Sequence, residues 1–116
     1  MIIKRIYISL PISGRNIEEV KKACLDAKAK IEKCGYEAVS PLEVSDNPSA
    51  TYSEHMGKDI AALLDCDAAV FLDGWMGSKG CTLEFYTCQI YGKHILYGLN
   101  SFAPNVSRQT ERRIRP

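Results

Sequence analysis

Four short apolar runs, IIKRIYIS, YEAVSP, DAAVFLD and HILYGL, alternate along the chain with three segments that read as helix. This alternation constrains the fold more than any other feature. A crossover through one helix brings the chain back to start each strand in the same direction, so the strands are expected to pair in parallel. The apolar centre of DAAVFLD suits burial on both faces. The expected architecture is an α/β three-layer sandwich, with a parallel sheet of four or five strands between helical layers. In open sheets of this kind ligands lie beyond the carboxyl ends of the strands. The loops LPISGR, PLEVSDNPSA and GWMGSKG, each following a strand, are therefore candidate walls of a site.

The helices carry their own punctuation. Asn16 and Glu19 form a capping arrangement before Ile17, Val20, Cys24, Ala27, Ile31 and Cys34, which recur at steps of three and four and predict one buried face. Gly35 supplies the stop. LEVSDNPSA reads as a polar loop, long enough to serve as a lid. Thr51 and Glu54 open a second helix, expected to reach Cys66 with Met56, Ile60 and Leu63 inward. A third helix is expected from Cys81 to Tyr91, ended by Gly92. Residues 1–100 form one expected domain; 101–116, arginine-rich and without apolar periodicity, form a tail that is either disordered or docked on a neighbouring subunit.

Composition narrows the partners. Fifteen basic and fourteen acidic residues in 116 leave a net charge of +1, which favours a small-molecule partner over nucleic acid or a membrane surface. The N-terminal apolar run is interrupted by Lys4 and Arg5 and has neither the length nor the flanks of a leader or a span, so a cytoplasmic protein is expected. Five cysteines without C-x-x-C spacing indicate neither a disulfide framework nor a metal site; Cys24, Cys34 and Cys66 read as small core residues. No metal or other cofactor is expected.

The stretch FLDGWMGSKGCTLEF holds the densest chemistry. Its glycines at 74, 77 and 80 match neither the phosphate-binding loop ending in Gly-Lys-Ser/Thr nor the dinucleotide fingerprint. A glycine loop entering a helix still offers backbone N–H groups and a positive dipole end to an anion, with Ser78 and Lys79 suited to the same task; plain turns are the alternative. Glu84 falls near that helix start, where the dipole favours its ionised form and burial opposes it. Asp59 lies three residues after Met56 and four before Leu63, within an apolar stripe where a carboxylate is expensive to desolvate, and His55 one turn earlier is a candidate partner for it. Tyr7 ends the first strand and faces either core or cleft. Asp73 either caps the glycine loop or meets a ligand hydroxyl.

YISLPISGR, KDIAALLDCDAAVFLDG and GSKGCTLEF together resemble the three motifs of the nucleoside 2-deoxyribosyltransferase superfamily, and more closely its DUF4406 branch, with a YISGPI-like start and a GW..S.GA..E loop. The resemblance spans roughly residues 3 to 98 and implies a flavodoxin-like, deoxyribosyltransferase-like fold. It implies that Glu84 attacks the sugar, that Asp59 handles proton transfer and that Tyr7 assists the nucleophile. Ser78, six residues before the glutamate, also resembles the phosphate-binding serine of deoxynucleoside 5'-monophosphate N-glycosidases. By the same likeness Ser13, Gly14 and Arg15 are expected to hold phosphate or sugar oxygens, with Ser9, Asp73, Gly74, Trp75 and Gly80 as further substrate contacts. The implied activity is N-glycosidic bond cleavage or transfer on a nucleoside or nucleotide, in a homo-oligomer, dimer or higher, whose site a neighbouring subunit completes. The sequence departs from the pattern at TLEFYTC, where the superfamily usually places a small residue and glycine around its glutamate, and at Ser78, where the transferases carry aspartate. A ligand sensor on the same fold, binding without turnover, is the alternative reading.

Overall fold

The computed structural model describes residues 2–102. Strands β1 (Arg5–Ser9), β2 (Glu37–Val39), β3 (Ala68–Phe71) and β4 (His94–Tyr97) form one parallel sheet in the order β2-β1-β3-β4. Helix α1 (Ile17–Lys33) joins β1 to β2; α2 (Pro41–Val44) and α3 (Tyr52–Leu64) join β2 to β3; α4 (Lys79–Tyr91) joins β3 to β4. Alternation along the strands sorts the two faces. Ile6, Ile8, Ala68 and Val70 pack with Val20, Cys24, Ala27 and Ile31 of α1, whereas Tyr7, Ala69 and Phe71 pack with Leu63 of α3 and Cys88 of α4. The expected three-layer sandwich with four strands is the observed one.

The site's position follows from the topology. After β1 the chain passes to one face of the sheet through α1, and after β3 to the other through α4, so the loops beyond these adjacent strands diverge. The cleft between them is the place where such a sheet receives ligands.

Several local expectations need correction. The segment read as the polar loop LEVSDNPSA begins as helix: Ser40 Oγ accepts the Leu42 N–H at 3.3 Å and Pro41 occupies the first turn, a start signal split by the strand boundary. Lys28 of α1 holds Glu43 of α2 at 2.8 Å, so the segment begins as a fastened wall. Helix α4 starts at Lys79 rather than Cys81, because Ser78 is its cap and Ser78 Oγ accepts the Cys81 N–H at 3.2 Å. Ile17 is 48% exposed instead of buried; it opens α1, where the first turn projects past the sheet into the cleft. Met56, Ile60 and Cys34 are half-buried, and α3 ends at Leu64. A 3-10 turn, Leu99–Phe102, follows β4, and its Phe102 is buried against Tyr36. Residues 103–116, the rest of the expected tail, lie outside the described residues. Among the described residues no helix is long and apolar enough to cross a membrane.

Candidate active site

Tyr7 and Ser9 stand two apart on β1, so both point to the α3/α4 side of the sheet. There the Tyr7 hydroxyl donates to Glu84 Oε2 at 2.7 Å and the Ser9 hydroxyl donates to Oε1 at 2.6 Å. Each carboxylate oxygen thus receives one short, charge-assisted bond from the central strand. Glu84 sits in the second turn of α4 and is 4% exposed. Burial pushes its carboxyl above the ordinary range, and the Ser9 and Tyr7 bonds pull the other way. The balance left open between dipole and burial falls to burial. Tyr7 is held well above the usual phenol value by burial and then by the Glu84 charge, so it remains a donor.

Asp59 reaches the same place from α3. It is 6% exposed, and its Oδ1 has no hydrogen-bond partner among the described residues. Burial, followed by the Glu84 charge, raises its carboxyl to about 7. The two acids are both desolvated but differ in kind: Glu84 is braced by hydroxyl donors, whereas Asp59 has none among the described residues and keeps its proton up to about neutral pH.

A cavity of about 880 Å³ opens over this pair, bounded by the loop after β1, the α2 segment, α3 and the start of α4. Tyr7, Asp59, Ser78 and Glu84, scattered along the sequence, all line it, as do Ser13, Gly74 and Gly80. Gly80 has a packing reason to be small: a Cβ there would lie 3.2 Å from Met56 Sδ, so its absence lets α3 and α4 approach. Ser9 does not line the cavity; its hydroxyl is spent on Glu84.

Other expected contacts lie elsewhere. Gly14 turns the chain at φ +77°, Arg15 closes that turn with its N–H on the Ile12 carbonyl, and its guanidinium folds back to the Pro11 carbonyl at 3.1 Å, leaving both residues exposed and off the cavity wall. Trp75 follows the left-handed Gly74, stacks on Phe85 at 4.8 Å and meets Phe71 in a tilted contact at 5.2 Å, so it joins the aromatic core. Asp73 is exposed and off the wall. His55 does not pair with Asp59: its Nδ1 meets Ser45 Oγ at 2.5 Å. Lys21, Tyr52 and Met56 also line the cavity without having been expected there, and Ser45 lines it from PLEVSDNPSA, a segment expected to form a wall. Lys21 reads as part of a solvated helix face, and Ser45 as loop; only the packing of α1, α2 and α3 around one opening gives them a shared site. No group of three or more His, Cys, Asp or Glu side chains able to hold a metal ion occurs among the described residues.

A parallel sheet with two buried acids beside its switch point defines the class of this protein as an α/β domain with a cleft beyond the carboxyl ends of its strands. More narrowly, the chain belongs to the family described as a domain of unknown function, DUF4406, which matches residues 4–97. No curated protein matches it in sequence. Among solved structures it is similar to the 2-desoxiribosyltransferase from Leishmania mexicana, with a TM-score of 0.64 and 18% identity over 81% of this chain and 63% of that one. It is similar also to the 2-deoxyribosyltransferase from Bacillus psychrosaccharolyticus, with a TM-score of 0.62 and 18% identity over 80% of this chain and 70% of that one. The Clostridium botulinum CMP N-glycosidase BcmB gives 0.56 and 22% over 81% and 67%. The shared property is the fold, and the chain spans less than two thirds of the Leishmania enzyme.

Proposed function

We propose that this protein cleaves or transfers the N-glycosidic bond of a small nucleoside or its 5'-phosphate, with Glu84 as nucleophile. The observation that carries the reading is the pairing of a hydroxyl-braced Glu84 with a desolvated, unpartnered Asp59 in one cavity. A Glu84 oxygen forms a bond to the anomeric carbon while the bond from that carbon to the base nitrogen breaks. The electron pair leaves with the base, and the Asp59 proton neutralises it. Water, giving its proton back to Asp59, then opens the glycosyl ester, or a second base takes its place. The bonds from Tyr7 and Ser9 aim the carboxylate and keep a usable fraction ionised despite burial. The likeness in fold to two deoxyribosyltransferases and an N-glycosidase supports the same reading.

The test is chromatography of free base after incubation with deoxynucleosides and their 5'-monophosphates, with mass spectrometry of the denatured protein for a sugar adduct on Glu84. Ligand binding across the panel without base release or exchange replaces this reading by that of a sensor. Ser78 caps α4 at the cavity wall, so the phosphate is placed against its hydroxyl and the helix N-terminus. Ser78→Gly, which lowers the loss of capping to a few tenths of a kcal/mol, is expected to raise KM for monophosphates by about tenfold while leaving unphosphorylated nucleosides unchanged. Equal losses on both substrate sets would remove Ser78 from phosphate binding.

The proposal includes a homo-oligomer. Leu83, Tyr86 and Ile90 of α4 are 49%, 55% and 76% exposed on one side of the helix, next to the cavity rim at Ser78 and Lys79. A helix apolar on both faces is suited to being covered on both. Sedimentation velocity is expected to show a dimer or larger species that Ile90→Glu dissociates; a wild-type monomer at micromolar concentration would sink this part.

A further inference from the structure

The proposed reaction gives no part to His55, although it lines the cavity one helical turn before Asp59, on the same side of α3. Its Nδ1 is 2.5 Å from Oγ of Ser45, the residue that ends α2. Ser45 is 7% exposed, and its hydroxyl has no other side-chain partner among the described residues. With Ser45 as donor and Nδ1 as acceptor, the hydroxyl proton of this half of the pair is satisfied where it is buried. The proton of the neutral imidazole is then on Nε2, which becomes a donor.

We infer that His55 Nε2–H and protonated Asp59, side by side on α3, select bases that present two adjacent acceptors: 6-oxopurines through O6 and N7, and cytosine through O2 and N3. This inference rests on the base-release reading above. Adenine sets an amino group beside N7, and thymine an N3–H beside O2, so with either base one donor of the pair meets another donor. A mispaired donor in a desolvated site weakens binding by about tenfold to a hundredfold. Ser45 acts as a positioning residue, because its bond decides which imidazole nitrogen carries the proton.

Binding of free bases tests this without requiring turnover. Titration calorimetry on the wild-type protein is expected to show hypoxanthine and cytosine binding at least about tenfold tighter than adenine and thymine. Nitrogen NMR is expected to show His55 Nδ1 as an acceptor and an Nε2–H signal that moves on addition of hypoxanthine. His55→Phe keeps a ring and removes the donor, and the preference should fall to about twofold or less; it also takes the acceptor from the buried Ser45 hydroxyl, so Tm should fall by a few degrees and binding is compared well below it. Ser45→Ala keeps the imidazole but frees its tautomer, and should narrow the preference while both nitrogen signals shift. Equal affinities in the wild-type protein, no binding of any base, or an unchanged preference in His55→Phe would overturn the inference. The expected preference without base release from any nucleoside would keep the base site and remove the catalytic reading.

Discussion

Glu84→Gln is expected to lower base release by about a thousandfold or more, the scale seen when a covalent nucleophile is removed from an otherwise intact site. The amide keeps the shape of the carboxylate, and its carbonyl oxygen still accepts one of the two bonds now made by Tyr7 and Ser9. The other hydroxyl then faces an NH₂ group and must turn. Because the native carboxyl is raised by burial, the substitution also removes an ionisation cost, so folding stability at pH 8 should not fall in step with activity. Initial rates, thermal unfolding and the sugar adduct, measured on the same preparations, separate the two effects. Retention of the wild-type rate would end the covalent mechanism; loss of rate together with loss of fold would make Glu84 a structural residue.

Asp59→Asn is expected to act on leaving-group departure and, separately, on the pH dependence of stability. With its proton donor gone, base release should fall by about a hundredfold to ten-thousandfold. A 7-methylated purine deoxynucleoside already carries the positive charge that protonation would supply, so it should retain most of its rate in the variant. The stability effect has a definite sign. The native carboxyl is raised to about 7, above its unfolded value, so between about pH 4 and 7 the native state holds a proton that the unfolded chain releases. Asp59 therefore takes stability away as pH rises through that window, with the loss complete above the native value. Between pH 5 and pH 8 the wild-type protein should lose about 2–3 kcal/mol more than Asp59→Asn. Urea unfolding of both proteins at the two pH values measures the difference. Parallel pH profiles would mean that Asp59 is ionised in the native state, and a uniform loss on the methylated substrate would show that it does not serve the leaving base.

The sheet was legible in the sequence because it depends on patterns that short segments carry by themselves. AAVF is apolar at every position, α1 repeats its buried face at steps of three and four, and Thr51 with Glu54 forms a capping box that closes as expected, with bonds of 2.9 and 3.2 Å. Parallel pairing then follows from the helical crossovers that join successive strands. Asp59 was legible as an anomaly, since a carboxylate on an apolar stripe needs a physical account wherever the helix lies. The bracing of Glu84 was not legible. That Tyr7 and Ser9 share a face follows from strand period, but that this face looks at α4 and not α1 depends on which side each crossover takes.

The remaining positions were decided by tertiary packing. Trp75 joins the aromatic core because Phe85 offers it a stack and Phe71 a tilted contact, and Arg15 turns back on its own loop because the Gly14 turn carries it away from the cleft. His55 finds Ser45 instead of Asp59 because α2 brings a buried hydroxyl to its ring. Sequence by itself determined which elements form, since periodicity and caps are properties of neighbouring residues. Only the tertiary structure decided which side chains meet and how strongly two carboxyls are desolvated, because contact and solvent exclusion depend on residues as far apart as Tyr7 and Glu84.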